Sequence, residues 1–328
     1  MTTSEFSSAI EAAYADWAHR YVRRSPGGDF VVDPERGGAA TSEGMAYGLL
    51  FAAATDRPRT FERLWRFAEA HFNRNGLMAW LLRPEGGVSD WGSAADADQD
   101  MAYALALGGL RWRSDDYLAA SRALLARILL RETDEDGVIL PGDSWGPSPP
   151  FNPSYVAPGY YPLFATLGDA SWTRIRDAND ALLLRFAHPV TGLLPDWIRL
   201  DGSEAHIPGI PRTGDFSYDA VRVPLRMHAA GDCGIPRLIL RRMGSFFQGR
   251  GAEKAGYTLD GTPLADFTDM PFLCAATISI YAVADGRLAD GAVSDLVRHR
   301  PSTYYGTALR LWTLLLLSGA LSAQAYLS

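Results

Sequence analysis

Cysteine is scarce in this sequence, and its placement argues against a cysteine-based metal site. The two cysteines, Cys233 and Cys274, are far apart and show no metal-ligand spacing. They could pair in an oxidising compartment or both remain buried thiols, and we favour buried thiols. The six histidines also lack metal-ligand spacing and are interpreted as structural or surface residues. The sequence therefore predicts no metal site.

Positive charge and long apolar runs are missing as well. The net charge of −7 argues against a nucleic-acid partner, which would favour a basic face. The N-terminal segment 1–20 carries several acidic residues and no apolar core, so we expect no signal peptide in the chain as given. The longest apolar run, residues 311–323, is too short and too interrupted to cross a membrane. We expect a soluble chain without a membrane span.

Apolar residues at helical spacing are abundant. They make up 47% of the chain against 21% charged residues, which is ordinary globular composition with enough material for a core. The periodicity predicts about a dozen helices, few strands and no linker long enough to divide the chain. Helix pairs recur roughly every fifty residues without a sequence repeat, which disfavours an open solenoid. We therefore predict an all-α (α/α)6 ring of six helical hairpins, formed by residues 1–328 as a single domain.

The stretch 41–54 predicts a helix that packs tightly against its neighbours. Ser42 is the candidate N-cap and Glu43 lies in the first turn. Glycine inside a helix costs about 0.5–1 kcal/mol relative to alanine. Gly44 and Gly48 therefore indicate that side-chain volume is excluded here. A carboxyl group at the tip of such an inner helix is a candidate acid.

Three acidic residues are expected at equivalent positions of the ring. Glu43, Asp96 and Asp219 each lie at or just inside the start of a predicted helix, after a loop. In a ring with parallel inner helices these starts share one rim, so the three carboxyls converge. Capping explains a single such residue well. However, Arg222 can keep Asp219 ionised, and segment 96–100 crowds three aspartates together, more than capping requires.

Glycoside hydrolysis typically uses two carboxyl groups, one protonated and one ionised. One donates a proton to the leaving oxygen, so its pKa must rise. For Glu43, burial in a closed cleft must then outweigh the helix N-terminus, which lowers the pKa. The other carboxyl must stay charged, and Asp219 beside Arg222 fits that requirement. Spacing alone leaves open which pair is catalytic.

Aromatic residues near the acidic motifs are candidates for sugar binding. The faces of β-linked glucose are apolar C–H surfaces on which Trp and Tyr stack while polar groups hold the hydroxyls. Core packing is a weaker explanation for aromatics in loops or beside acidic motifs. The predicted substrate-binding residues are Trp80, Trp145, Tyr155, Tyr218 and Arg222.

Several motifs, in the same order along the chain, resemble those of glycoside hydrolase family 8, a family of inverting endoglucanases. The resemblance covers nearly the whole sequence. The motifs are Ser42-Glu43-Gly44-x-x-Tyr47-Gly48, Ala94-Ala95-Asp96-Ala97-Asp98-x-x-Met101-Ala102, Asn152-Pro153-Ser154-Tyr155, Pro195-Asp196-Trp197, Tyr218-Asp219-Ala220-x-Arg222-Val223-Pro224 and Tyr304-Tyr305. Ala95 departs from the Thr or Ser that the family usually has, which affects the expected orientation of Asp96.

The resemblance implies a helical toroid with a long cleft for a β-1,4-linked glucan and no cofactor. Glu43 would be the general acid, Asp219 the general base that activates water, and Asp96 would hold and help distort the sugar at the cleavage point. Chitosan, xylan and mixed-linkage β-glucan remain alternative substrates, and a non-catalytic glucan-binding protein is an alternative of another class. We expect a monomer in the periplasm or secreted, with a cytoplasmic location left open by the lack of an export signal.

Overall fold

The computed structural model describes residues 2–232, 234–248, 250, 253–284 and 286–326. Cys233 lies outside these residues, so its expected state as a buried thiol stays a prediction. Cys274 is a free, fully buried thiol, and burial raises its pKa to about 12. The prediction of a buried thiol is therefore confirmed for Cys274.

Helices dominate the described part of the chain. They are α1 Thr3–Tyr21, α2 Ser42–Ala54, α3 Pro58–Ala70, α4 Ala95–Trp112, α5 Asp115–Arg131, α6 Tyr161–Leu167, α7 Ser171–Phe186, α8 Val223–Ala229, α9 Gly234–Gln248, α10 Met270–Tyr281, α11 Gly286–Arg298 and α12 Tyr304–Leu317. The strands are short: β1 Val22–Ser25, β2 Gly28–Val31, β3 Ala40–Thr41, β4 Leu81–Leu82 and β5 Val88–Asp90. Strand β1 pairs with β2, and β3, β4 and β5 form a second sheet, all antiparallel.

The helices pack as hairpins arranged in a ring. The pairs are α2/α3, α4/α5, α6/α7, α8/α9 and α10/α11, and α12 packs against α1. Among the inner helices, α4 contacts α2, α2 contacts α12, α12 contacts α10, and α10 contacts α8. The 3-10 turn Pro153–Tyr155 contacts both α4 and α8 on the remaining side. The predicted ring of six hairpins is therefore present.

Burial separates the inner helices from the outer ones. In α2, every residue except Glu43 is buried, and α4 is buried without interruption from its first residue to Gly109. The outer helix α3 buries only a stripe, formed by Phe61, Leu64, Phe67 and Ala68. A helix that is apolar all round belongs in a core, whereas a striped helix lies on its surface.

The glycines of α2 mark close contacts, as predicted. A Cβ atom on Gly44 would lie 2.6 Å from Tyr304 Oη. One on Gly48 would lie 3.0 Å from Leu64 Cδ1. Both positions lack the room for a side chain, so the helix-propensity cost of glycine is outweighed by the close approach of neighbouring elements.

The start of α2 differs from the prediction by one residue. Thr41, not Ser42, is the N-cap, and its hydroxyl accepts the N–H of Gly44 at 3.1 Å. The Ser42 N–H instead donates to the backbone oxygen of Trp80 at 3.0 Å. This contact comes from a distant loop, which a local capping pattern does not reveal.

Proline determines two other helix starts. Helical periodicity predicts a helix over residues 155–167. The observed helix α6 begins only at Tyr161, because Pro158 lacks an N–H and disfavours a helical residue before it. The sequence also predicts a helix that begins at Tyr218 with Ser217 as its cap. The structure has a 3-10 turn there, Ala220–Arg222, followed by α8. Asp219 occupies the N-cap position of that turn. Proline at position 224 then falls in the first turn of α8, where no N–H is needed.

Within the described ranges, none of the helices combines the length and the apolar character that crossing a bilayer requires.

Candidate active site

One arginine side chain gathers the three predicted acids. Arg222 Nη1 donates to Glu43 Oε2 and, at 2.9 Å, to Asp96 Oδ2. Its Nη2 donates to Asp219 Oδ1 at 2.6 Å and to Ser154 Oγ at 2.9 Å. The three carboxyls come from the first turns of α2 and α4 and from the turn before α8. The structure thus brings Glu43, Asp96 and Asp219 together on one rim of the ring.

The three carboxyls differ in their access to solvent. The side chains of Glu43 and Asp219 are 28% and 23% exposed. Those of Asp96 and Arg222 are 3% and 2% exposed. Two carboxyls therefore face open space, and a buried ion pair supports them from below.

Asp196 fixes the turn that carries Asp219. Its Oδ1 accepts the backbone N–H groups of Ser217, Asp219 and Ala220 at 3.0, 3.1 and 2.7 Å. Three such donors favour the ionised carboxylate and oppose burial, which raises the pKa of Asp196. Asp219 therefore lies in a turn in which three backbone N–H groups donate to a single acceptor, Asp196 Oδ1, and this holds the turn in place.

Trp197 is a site residue that sequence reasoning missed. Its Nε1 donates to Asp219 Oδ2 at 2.8 Å, so both oxygens of Asp219 accept a hydrogen bond. The Trp197 ring stacks on Trp145, with centroids 5.3 Å apart and planes at 24°, and meets Tyr155 edge-on at 5.6 Å. The only available signal was its place in the motif Pro195-Asp196-Trp197.

The electrostatic surroundings raise the pKa of both half-buried carboxyls, Glu43 and Asp219. Burial raises the pKa of Glu43 to about 7, with Arg222 opposing and the Asp96 and Asp219 carboxyls adding to the rise. Burial also raises the pKa of Asp219, while Arg222 and the Trp197 hydrogen bond lower it. Arg222 therefore acts on Asp219 in the predicted direction but does not outweigh burial. For Glu43, burial outweighs the opposing charge of Arg222, as the acid role requires.

The predicted sugar-binding aromatics differ in their exposure and in their contacts with residues of the three-carboxyl site. The Tyr155 ring faces the Arg222 guanidinium, with the centroid 5.5 Å from Cζ. Trp145 is 40% exposed and reaches the acids through its stack on Trp197. Trp80 is half-buried in the loop before β4.

Tyr218 immediately precedes Asp219 in the chain. Its ring is exposed, and its hydroxyl donates to Asp269 Oδ2 at 3.0 Å. The backbone oxygen of Tyr218 accepts the hydroxyl of Tyr305 at 2.8 Å. These contacts fix the ring beside the Asp219 turn.

The other aspartates of segment 96–100 are buried beneath the site. Asp100 forms a two-pronged ion pair with Arg226, and both side chains are almost completely buried. Asp98 and Glu132 are both fully buried, and each affects the pKa of the other, so the two carboxyls lie close together. Ser93 Oγ donates to Glu132 Oε1 at 2.5 Å. Asp98 Oδ2 and Glu132 Oε2 accept from no donor among the described residues, and we infer that the two carboxyls share a proton.

That shared proton makes stability depend on pH. Burial raises the pKa of Asp98 to about 8 and that of Glu132 well above its usual range. The folded chain therefore holds the proton more tightly than the unfolded chain. The resulting stabilisation is fully present below about pH 4 and is lost as the pH rises through about 8.

We expect the substitution Glu132→Gln to stabilise the protein at alkaline pH. The amide supplies an N–H to the ionised Asp98 carboxylate without needing a proton. The free energy of unfolding in urea should rise by about 1–3 kcal/mol at pH 8 and change less at pH 5. Glu135→Gln, on an exposed neighbouring residue, is the matched control. Equal pH dependence in Glu132→Gln and the unaltered chain would contradict the shared proton.

Sequence relatives match most of this chain. Residues 1–319 match the family Glycosyl hydrolases family 8. Endoglucanase A of Acetivibrio thermocellus is 29% identical over 96% of this chain and 70% of its own length. Endoglucanase C of Ruminiclostridium cellulolyticum is 30% identical, over 85% of this chain and 63% of that protein. The oligoxylanase Rex8A of Paenibacillus barcinonensis is 29% identical over 85% of this chain and 81% of that protein.

Solved structures share the fold. Rex8A of Paenibacillus barcinonensis complexed with xylose superposes with a TM-score of 0.87 at 25% identity, covering 100% of this chain and 96% of that chain. A β-1,3-1,4-glucanase from Paenibacillus sp. X4 superposes with a TM-score of 0.91 at 22% identity, covering 97% and 93%. The predicted (α/α)6 fold is confirmed. The chain belongs to glycosyl hydrolases family 8 and is a glycoside hydrolase.

Proposed function

We propose that this enzyme hydrolyses internal β-1,4 bonds of cellulose or a soluble β-glucan with inversion, with Glu43 as general acid and Asp219 as general base. The observation that carries the proposal is the pair of solvent-facing carboxyls held by one buried guanidinium in unlike surroundings. Endoglucanase A and Endoglucanase C among the relatives favour a glucan.

The proposed reaction follows from the state of each carboxyl. Glu43, with its pKa raised to about 7 by burial, carries a proton at mildly acidic pH and donates it to the leaving glycosidic oxygen. Asp219 is charged when its oxygens accept from Arg222 and Trp197, and it takes a proton from the attacking water. The bond from the anomeric carbon to the leaving oxygen breaks as the bond to water forms on the opposite face. Solvent then returns a proton to Glu43 and removes one from Asp219.

Asp96 contributes from beneath the reacting groups. Its Oδ2 accepts from Arg222, and its Oδ1 accepts the N–H of Ala97 at 2.9 Å. Its charge raises the pKa of Glu43, which favours the protonated acid. The further role implied by the family resemblance, holding and distorting the sugar at the cleavage point, stays a prediction.

The substrate-binding role of the aromatics is proposed on their exposure and arrangement. Trp145, Tyr155 and Tyr218 lie around Asp219 with ring surface available to a sugar. Trp80 is included because its backbone pairs with Gly92 at the base of the loop next to α4. Arg222 is almost fully buried, so it would affect substrate binding indirectly, by positioning the three carboxyls that it contacts.

We also propose a single catalytic domain formed by residues 1–328, acting as a monomer on polysaccharide in the periplasm or outside the cell. One continuous apolar cluster includes residues from α1 through α12, which supports a single domain. The curated endoglucanases are longer than the part that this chain spans, 63% of Endoglucanase C for example. The activity of those whole proteins is therefore proposed for this chain rather than carried over.

The decisive experiment measures reducing sugar released from carboxymethylcellulose, mixed-linkage β-glucan, xylan and chitosan under one set of conditions. We expect the highest rate on one of the two glucans, with a rapid loss of viscosity because internal bonds are cut. The Glu43→Gln variant, purified in parallel, measures contaminating activity. Binding of cello-oligosaccharide without product release would support the non-catalytic alternative instead.

A reducing-end exo-oligoxylanase is the second candidate. Two relatives carry that name, at 29% and 28% identity over 85% of this chain. Release of xylose from short xylo-oligosaccharides, with little action on carboxymethylcellulose, would establish this activity and overturn the glucanase proposal.

A further inference from the structure

A recess outside the three-carboxyl site has the features of a sugar-binding site. It is a cavity of about 670 Å³, within the range of roughly 300–1,000 Å³ typical of small-molecule sites. Its lining includes Trp91, Asn73, Asn75, Asp143, Ser144 and Arg74. The Trp91 side chain is 58% exposed, and an indole left so open beside a cavity offers an unused stacking face.

The wall opposite this indole is polar and already fixed. Asp143 Oδ2 accepts the side-chain amides of Asn73 and Asn75 at 2.8 and 2.7 Å. Asp143 Oδ1 accepts the N–H of Ser93 at 3.0 Å. Asn73 also donates to the backbone oxygen of Trp91 at 2.9 Å, which ties the indole-bearing loop to the same network. Little ordering is therefore required when a ligand enters.

Two polar side chains of the lining remain available for hydroxyl groups. Neither Arg74 nor Ser144 forms a side-chain hydrogen bond with any other residue in the described ranges, and both are exposed. A guanidinium and a hydroxyl around an aromatic face can hold the equatorial hydroxyls of a β-linked pyranose while its C–H face stacks. The same features suit a sugar better than an aromatic or aliphatic ligand, which would leave these polar groups unpaired.

The recess is connected to the three-carboxyl site by a run of aromatic side chains. Ser144, in its wall, precedes Trp145 in the chain. Trp145 stacks on Trp197, whose indole N–H donates to Asp219. On the other side, the N–H of Trp80 donates to the backbone oxygen of Gly92, which also lines the recess. A glucan chain bound at Asp219 would therefore reach the recess along the same rim.

We propose that this recess, defined by Trp91, Asn73, Asn75, Asp143 and Arg74, is a distal subsite that binds one β-linked glucose unit of a long glucan chain. The proposal rests on the proposed glucanase function. It makes the enzyme favour substrates long enough to span from Asp219 to Trp91, and it predicts no role for Trp91 in cleaving short oligosaccharides.

The test compares kcat/KM for cellohexaose and cellotetraose in the Trp91→Ala variant. The value for cellohexaose should fall about 3–10-fold, the loss of one aromatic contact, while that for cellotetraose stays within experimental error. Trp91→Phe should recover part of the loss. Tyr281→Ala removes another exposed aromatic ring, at the C-terminal end of α10 and outside the recess. It is the matched control and should change neither value.

Binding measured without turnover separates this proposal from the proposed function. In the Glu43→Gln background, titration calorimetry should show that Trp91→Ala weakens cellohexaose about 3–10-fold and leaves cellotetraose unchanged. Equal affinities for cellohexaose with and without Trp91, or an equal loss for both oligosaccharides, overturn the distal subsite even if the enzyme is a glucanase. Absence of hydrolysis in the unaltered enzyme overturns the glucanase alone, because the titration still reports on the recess.

Discussion

Replacing Glu43 with glutamine is expected to lower kcat on carboxymethylcellulose by about 10²–10⁴-fold while the protein remains folded. The amide has the shape of the acid, and its oxygen can still accept from Arg222 Nη1, but it has no proton to transfer. Cleavage of an aryl cellobioside with a dinitrophenolate leaving group should be far less affected, because that leaving group departs without protonation. Reducing-sugar and chromogenic assays on the same preparation measure both effects.

The pH profile provides an independent check on Glu43. Because burial raises the pKa of Glu43 to about 7, kcat/KM of the unaltered enzyme should fall as the pH rises through that value. The Glu43→Gln variant should lose this alkaline limb on the activated substrate. Since the neighbouring carboxyls titrate together, the midpoint belongs to the group rather than to Glu43 alone. Near-normal activity of Glu43→Gln on carboxymethylcellulose would exclude it as the acid.

Replacing Asp219 with asparagine should be as damaging, by about 10²–10⁴-fold in kcat, for a different reason. The amide cannot accept a proton from water. Its NH2 group must also face either Arg222 Nη2 or Trp197 Nε1, both of which are donors. Asp201→Asn, on an exposed loop, is the matched control and should leave the rate unchanged.

Leaving-group dependence distinguishes the two carboxyls. The Asp219→Asn variant should be inactive on carboxymethylcellulose and on the aryl cellobioside alike. With either substrate the attacking water must lose a proton to a base, and the identity of the leaving group does not remove that need. The double variant should lose little more than the worse single variant, since the two groups act in one step. Normal turnover by Asp219→Asn would remove it as the base, and selective rescue by the activated substrate would assign it the role of acid.

The fold was predictable because its determinants are local. Helical periodicity, the bare surface around Gly44 and Gly48, and the even spacing of hairpins are all visible in the sequence. The errors concerned where helices start, and they arose where a backbone contact from a distant loop or a proline determined that start. Ser42 lost the cap because its N–H is bound by Trp80, and α6 began late because Pro158 precedes it.

The site was predictable only in part. The convergence of Glu43, Asp96 and Asp219 was predictable because each begins an inner helix or its leading turn, a position with a sequence pattern. Trp197 and Asp196 lie in an irregular loop without periodicity, where only the folded chain shows what they contact. The shared proton of Asp98 was equally hidden, because its partner Glu132 comes from the end of another helix.

The guanidinium of Arg222 has a consequence for assembly. It joins carboxyls from the hairpins that begin with α2, α4 and α8, so the proposed catalytic arrangement does not exist in any one hairpin or in two adjacent ones. Activity should therefore require all three of these hairpins to be docked. During refolding, enzymatic activity should recover later than helical circular dichroism, in step with the last of these three hairpins to dock.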